Sequence, residues 1–163
     1  MPVRIRDLLR RPFRHLGHRR WFAATGRLLV PVDRLVSRLT HGRVTGFGIA
    51  PSLLITTTGR RSGLARTNPL VYVRDGDCYA VVGSNWGQTH PPAWALNLLA
   101  DPAAVVTVRG GRRPVRARLV EGEERERLWR RLVETWPAYE TYVSRAGGRE
   151  IPVFRLEPPA PSE

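Results

Sequence analysis

A chain of 163 residues can bury one substantial core but is short for two domains, and its 42% hydrophobic content suits a folded body over a disordered one. The formal charge of +13 comes from arginine alone, since the chain has no lysine, and it favours anionic partners such as lipid headgroups, nucleic acid or phosphorylated ligands. A single cysteine, Cys78, excludes an internal disulfide, and the scattered His15, His18, His41 and His90 form no metal-binding pattern.

Residues 1–45 read as a basic helical arm with eleven arginines against Asp7 and Asp33. Ile5, Leu8, Leu9, Phe13 and Leu16 share one helical face, while Pro12 divides the helix. Such a segment suits an anionic membrane surface, and equally suits packing on the body or on a second subunit in a homodimer. The apolar stretch at 28–32 is too short to span a bilayer, and no smooth apolar run follows the early arginines. A cytoplasmic protein is expected, with the inner face of the cell membrane as its site of contact. Pro31 opens a second helix carrying Val32, Leu35, Val36 and Leu39, and Gly42 stops it.

Residues 46–158 read as a sheet-rich body and 159–163 as a flexible tail. Strands are predicted over 53–57, 67–73 and 78–82, the last two joined through Asp75-Gly76. Pro92 opens a short helix to Leu99, which Asp101-Pro102 closes. A hairpin follows, with strands at 105–108 and 114–120 around Gly110-Gly111. A helix over 123–134 buries Leu128, Trp129, Leu132 and Val133, and Pro137 restarts a shorter one. A last strand occupies 152–156. Hairpin-linked strands with helices as inserts predict an α+β fold built on a mainly antiparallel, barrel-like sheet. No G-x-G-x-x-G opens a helix, which argues against a Rossmann fold.

Three groups of residues can carry chemistry. Thr58-Gly59-Arg60-Arg61-Ser62-Gly63, with Arg66 just beyond, sets guanidinium groups in a glycine-flanked bend able to grip phosphate or carboxylate. Read alone, it also suits a solvated basic hairpin. Val82-Gly83-Ser84 ends a strand and leads to Trp86, where Ser84 can donate to a ring or substrate oxygen or simply begin a loop. Trp136, Tyr139 and Tyr142, spaced by three, suit either the wall of a flat apolar pocket or plain core.

Order and spacing bring these pieces together. The run 53–63 followed by Arg66-Thr67-Asn68-Pro69-Leu70 resembles the deazaflavin-dependent nitroreductase family. So do Ala93-Trp94 with Asn97-Leu98, Asp101-Pro102, Trp136-Pro137-Ala138-Tyr139 and Arg149-Glu150-Ile151-Pro152-Val153. The resemblance covers about residues 28–158. It implies a split β-barrel that binds coenzyme F420, a deazaflavin with a phosphodiester and an oligoglutamate tail. Arg60, Arg61, Ser62 and Arg66, with Thr58, Gly59 and Gly63, would hold phosphate and tail. Asn68, Pro69, Val82, Gly83, Ala93, Trp94 and Asn97 would line the cofactor. Ser84 would stand near the reacting centre, with Tyr139 and Tyr142 bordering the substrate and Trp86 and Trp136 in its pocket. The implied reaction passes a hydride from the reduced deazaflavin to a quinone-like or other apolar electrophile; some family members reduce nitroaromatic compounds. Departures from the family pattern are Arg61 where lysine is common, Trp86 where glycine is usual, Ala95 where an aromatic residue is common, and Trp136 where tyrosine is frequent.

Two other readings stand beside this one. FMN or haem could replace F420 on the same barrel, as in related split barrels. A non-enzymatic adaptor for anionic membrane or nucleic acid would use the arm, but gives no reason for the motifs between Thr56 and Pro152. No nucleic-acid partner is therefore expected.

Overall fold

The computed structural model describes residues 50–160, so the arm helices expected within 1–45 and the end of the tail lie outside the described residues. Six strands form the body: β1 Ser52–Thr58, β2 Ala65–Asp75, β3 Cys78–Val82, β4 Ala103–Val108, β5 Gly111–Leu119 and β6 Val153–Glu157. They close into a barrel in the order β1-β2-β3-β6-β5-β4, with every neighbouring pair antiparallel. A 3-10 turn at Asn85–Gly87 and helix α1 (Ala93–Ala100) link β3 to β4; α2 (Gly122–Thr135) and α3 (Ala138–Arg145) link β5 to β6. This is the α+β split barrel that the sequence predicts.

β2 and β5 outrun their predicted starts because each changes partner along its length. β2 pairs with β1 through Val71 and with β3 from Tyr72 onward. Pro69 lies in the stretch paired to β1, before the ladder to β3 begins. Pro114 likewise pairs with Val105 of β4, before β5 meets β6 at Arg116. A residue without an N–H is tolerated where only one side of the strand is bonded. The β4–β5 turn is centred on Arg109 and Gly110, at φ 50° and 86°, with Val108 paired to Gly111. That corrects the expected Gly110-Gly111 centre by one residue and matches the two positive φ values a tight hairpin needs.

Side-chain alternation gives the molecule two apolar layers. Leu53 and Ile55 of β1, Tyr79 and Val81 of β3, Ala104 and Val106 of β4, Val115 of β5, and Phe154 and Leu156 of β6 fill the barrel interior, joined by Trp94, Ala95 and Leu98 of α1. Val73, Ala80, Val82 and Val153 face outward and are covered by Leu128, Leu132, Trp136, Tyr139 and Tyr142. β3 is therefore buried at every position, including Cys78, and reads as a continuous apolar run.

Candidate cofactor and acceptor site

β1 delivers the basic turn. Thr57 follows Leu53 and Ile55 on the inward face and is almost fully buried, whereas Thr58 is exposed. The bend is closed by Gly59 N–H donating to Leu64 C=O at 2.8 Å and Gly63 N–H to Gly59 C=O at 2.7 Å. A Cβ on Gly59 would meet Ser62 Oγ at 2.8 Å, and Gly63 sits at φ +67°, so both glycines have a steric reason to be there. Ser62 Oγ accepts from the Leu64 N–H at 3.3 Å, pinning the bend from within.

The side chains of Arg60, Arg61 and Arg66 are exposed, and among the described residues none pairs with a carboxylate. The contrast with the opposite wall is sharp. There Arg118 bonds Glu124 and Glu157 at 2.8 and 2.9 Å, and Arg127, Arg131 and Arg155 gather on Asp75. Acidic side chains neutralise the structural arginines and leave the turn positive.

Asn97 of α1 fixes this turn to the body. Its Oδ1 accepts from the Arg60 N–H at 3.1 Å, and its Nδ2 donates to Thr57 Oγ1 at 3.1 Å. Only 4% exposed, Asn97 bonds the protein at both ends of its amide. Asn97, expected to line the cofactor, holds the turn to the barrel through both ends of its amide. Trp94, expected beside the cofactor, instead points into the barrel, 5.8 Å from the Phe154 ring centre. Val82 is also core, packed under α2 and α3. Ala93 remains exposed at the start of α1, and Asn68 and Pro69 are half-buried on β2.

The second component is the loop leaving β3. Gly83 is squeezed where a Cβ would meet Pro152 Cγ at 2.8 Å and Ala95 Cβ at 3.3 Å. Ser84 is half-buried and begins the 3-10 turn, in which Asn85 and Trp86 take φ values of 48° and 57°. Left-handed backbone is unfavourable for residues other than glycine, so the surroundings must impose it. Gly87 lies against α3, where a Cβ would come within 2.9 Å of the Tyr142 backbone. The Trp86 ring meets Tyr142 edge-on at 6.0 Å, and Tyr142 meets Tyr139 at 6.1 Å. Asn85 Nδ2 ties the loop forward by donating to the His90 C=O at 3.0 Å.

Trp136, Tyr139 and Tyr142, expected to wall a substrate pocket, are all buried in the layer between sheet and helices. Burial pushes both tyrosine phenols above their ordinary pKa, so they stay neutral. The Tyr142 hydroxyl has no hydrogen-bond partner among the described residues. Arg149 is the residue whose part the sequence does not signal: its guanidinium donates to carbonyls of the Ser84 loop more than sixty positions away. An open groove of about 420 Å³ along α1 and β5, lined by Leu99, Pro102, Arg116 and Leu119 among others, shares no residue with this site.

The closed six-stranded barrel thus carries a basic turn free of acid partners, a strand-end serine and an aromatic layer packed against the serine's loop. A family model described as F420H(2)-dependent quinone reductase matches residues 31–158. The chain belongs to this family. The F420H(2)-dependent quinone reductase Rv1261c of Mycobacterium tuberculosis is 36% identical over 143 residues, covering 84% of this chain and 95% of that protein. A solved F420-H2 dependent reductase, FDR-A, is 41% identical with a TM-score of 0.61, covering 66% of this chain and 94% of its own. A further structure, described as a domain-swapped dimer, is 37% identical with a TM-score of 0.62, covering 77% of this chain and 96% of its own. Membership in the F420H(2)-dependent quinone reductase family carries the enzyme class, an oxidoreductase, and the cofactor, coenzyme F420. F420 thereby takes precedence over FMN and haem.

Proposed function

We propose that the chain passes reducing equivalents from F420H(2) to a quinone-like acceptor, with the unneutralised turn as the anchor for the cofactor's acidic end. The observation that carries this reading is the set Arg60, Arg61 and Arg66, exposed, free of carboxylate partners and braced through the Arg60 N–H by a buried Asn97. A phosphodiester with an oligoglutamate tail needs such a surface, because guanidinium groups bind phosphate and carboxylate through paired, charge-assisted hydrogen bonds. Thr58, Ser62 and the backbone of Gly59 and Gly63 supply the remaining polar contacts. Asn68, Pro69, Gly83 and Ala93 line the path from the turn toward Ser84.

Bound F420H(2) supplies a hydride from its C5 carbon. This chain's residues bind, orient and dry the site: Ser84 offers a hydroxyl beside the ring, and the half-buried Trp86 bounds the acceptor with apolar surface, backed by the buried Trp136, Tyr139 and Tyr142. The phenols are not bases, because burial holds them protonated. The +9 balance of residues 1–45 supports work beside an anionic membrane, where apolar quinones reside; no described helix is long and apolar enough to cross one. The domain-swapped relative supports a homodimer.

Fluorescence titration with F420, set against FMN, tests the reading. The full-length chain is expected to bind F420 and not FMN. Replacing Arg60 and Arg61 together by alanine is expected to weaken F420 about 10- to 100-fold, about one charge-assisted hydrogen bond per side chain. Rising salt should have a smaller effect on that variant than on the wild type. Equal affinity for both proteins would remove the turn from the site.

A further inference from the structure

Arg149 lies in the segment between α3 and β6, and every hydrogen bond of its guanidinium goes to a neutral carbonyl. Nη2 donates to Ser84 C=O at 2.9 Å and to Gln88 C=O at 3.1 Å; Nε reaches Gln88 C=O at 3.2 Å. Nη1 donates to Gly83 C=O at 3.3 Å and Glu150 C=O at 3.4 Å. Among the described residues it makes no ion pair, and desolvation lowers its pKa from the ordinary arginine value. A half-buried cation without an acid is costly, and here the loop carbonyls alone offset that cost, which ties the guanidinium to the loop's shape.

The loop it grips holds a strained shape, with internal bonds from Gly87 N–H to Ser84 C=O and from Gln88 N–H to Asn85 C=O, both at 3.0 Å. Asn85 and Trp86 occupy left-handed backbone that their side chains disfavour, and Gly87 is wedged on the Tyr142 backbone. α3 holds one side of the loop, and Arg149 takes the carbonyls immediately before and after the Ser84 α-carbon. With both flanking peptides fixed, the Ser84 side chain has one base from which to point.

We propose that Arg149 is a positioning residue for the reductase reaction, fixing through the Gly83 and Ser84 carbonyls where the Ser84 hydroxyl meets the bound ring. This rests on the reading above that places Ser84 at the reacting centre. Lysine cannot replace it, because only a planar five-donor fork reaches carbonyls on both sides of the serine. The tail anchor at Arg60 and Arg61 lies on another element, so cofactor affinity and turnover should separate.

The test uses the full-length chain and its R149M, R149K, S84A and R149M/S84A variants. F420 affinity is read by fluorescence, kcat and KM with F420H(2) and a soluble naphthoquinone, and folding by thermal melting. R149M is expected to bind F420 within about threefold of wild type and lose about 10- to 100-fold in kcat; R149K should regain little. S84A should lower kcat, and the double variant should be no worse than the poorer single one, because both act through one hydroxyl. If R149M fails to fold, R149K, which keeps the charge but loses the fork, carries the test and must show the same split. A folded Arg149 variant with kcat within twofold of wild type overturns the proposal. So do losses that multiply fully in the double variant, or an S84A variant with wild-type turnover. A wild-type chain that fails to bind F420 would instead sink the functional reading itself.

Discussion

Asn97 shows how much can rest on one primary amide. It spans the barrel interior and the anion-facing turn, taking the Arg60 N–H on its oxygen and offering its nitrogen to Thr57, both at 3.1 Å. Replacing it by alanine strands a buried threonine hydroxyl and releases the turn, at a cost of about 2 kcal/mol. The expected outcome for N97A is a lower urea midpoint together with weaker F420 binding, measured on the same preparation. Its place among the important residues is legible from the Asn97-Leu98 pair that marks the family resemblance. Its role is not, because its partners are 40 and 37 positions away and local pattern carries no such information. Trp94 and Val82 teach the same lesson in reverse: resemblance picks them out, and only packing shows that they face the interior layers. Arg149 lies furthest from legibility, since all its partners but Glu150 are brought to it by tertiary structure.

At the level of elements, the hairpin between β2 and β3 is bolted to α2 and β6 through a single carboxylate. Asp75 accepts from Arg127 at 2.7 Å, Arg131 at 3.0 Å and Arg155 at 3.1 Å, while Arg131 also caps the Arg74 carbonyl. The hydrogen bond from Arg127, reinforced by the three positive charges, outweighs desolvation and lowers the Asp75 pKa from 3.8 to about 2. A carboxylate whose folded pKa is depressed stabilises the fold above its unfolded value and loses that contribution as protonation sets in. The stability difference between wild type and D75N should therefore be full above about pH 4 and vanish toward pH 2. Its size is about 1 kcal/mol, because the partner guanidinium groups are partly exposed and screened; denaturant melts across that range measure it. Both ends of this bolt are visible in the sequence, as the Asp75-Gly76 turn signal and the amphipathic stripe of the helix. The bolt itself is not, since an arginine-rich helix face looks the same whether it meets water or an acid.

For the molecule as a whole, charge is sorted by location. Asp75, Glu124 and Glu157 neutralise arginines that join α2, β5 and β6, while the turn after β1 stays positive, and residues 1–45 carry a further +9. The proposed cofactor anchor and the proposed membrane contact therefore draw on basic residues from separate stretches of the chain. A chain lacking residues 1–20 is expected to keep F420 affinity and to lose co-sedimentation with vesicles containing anionic lipid. Loss of both together would show that the arm belongs to the cofactor site. The sequence discloses the six strands and the three helices between them to within about three residues at each strand end, because each has its own turn and period signals. Closure is not disclosed, because nothing local tells the last strand to insert between β3 and β5.

That insertion governs how the body can meet other macromolecules. With β6 completing the ring, each strand has a neighbour on both flanks, and rows of main-chain donors and acceptors are offered sideways chiefly where β2 and β5 are paired on one side, over 65–71 and 111–115. β-Augmentation is confined to those two stretches, each of which carries a proline, Pro69 or Pro114. Whatever recognises the rest of the barrel must read protruding loops and side-chain chemistry, and the two prolines guard the open stretches against edge-to-edge polymerisation.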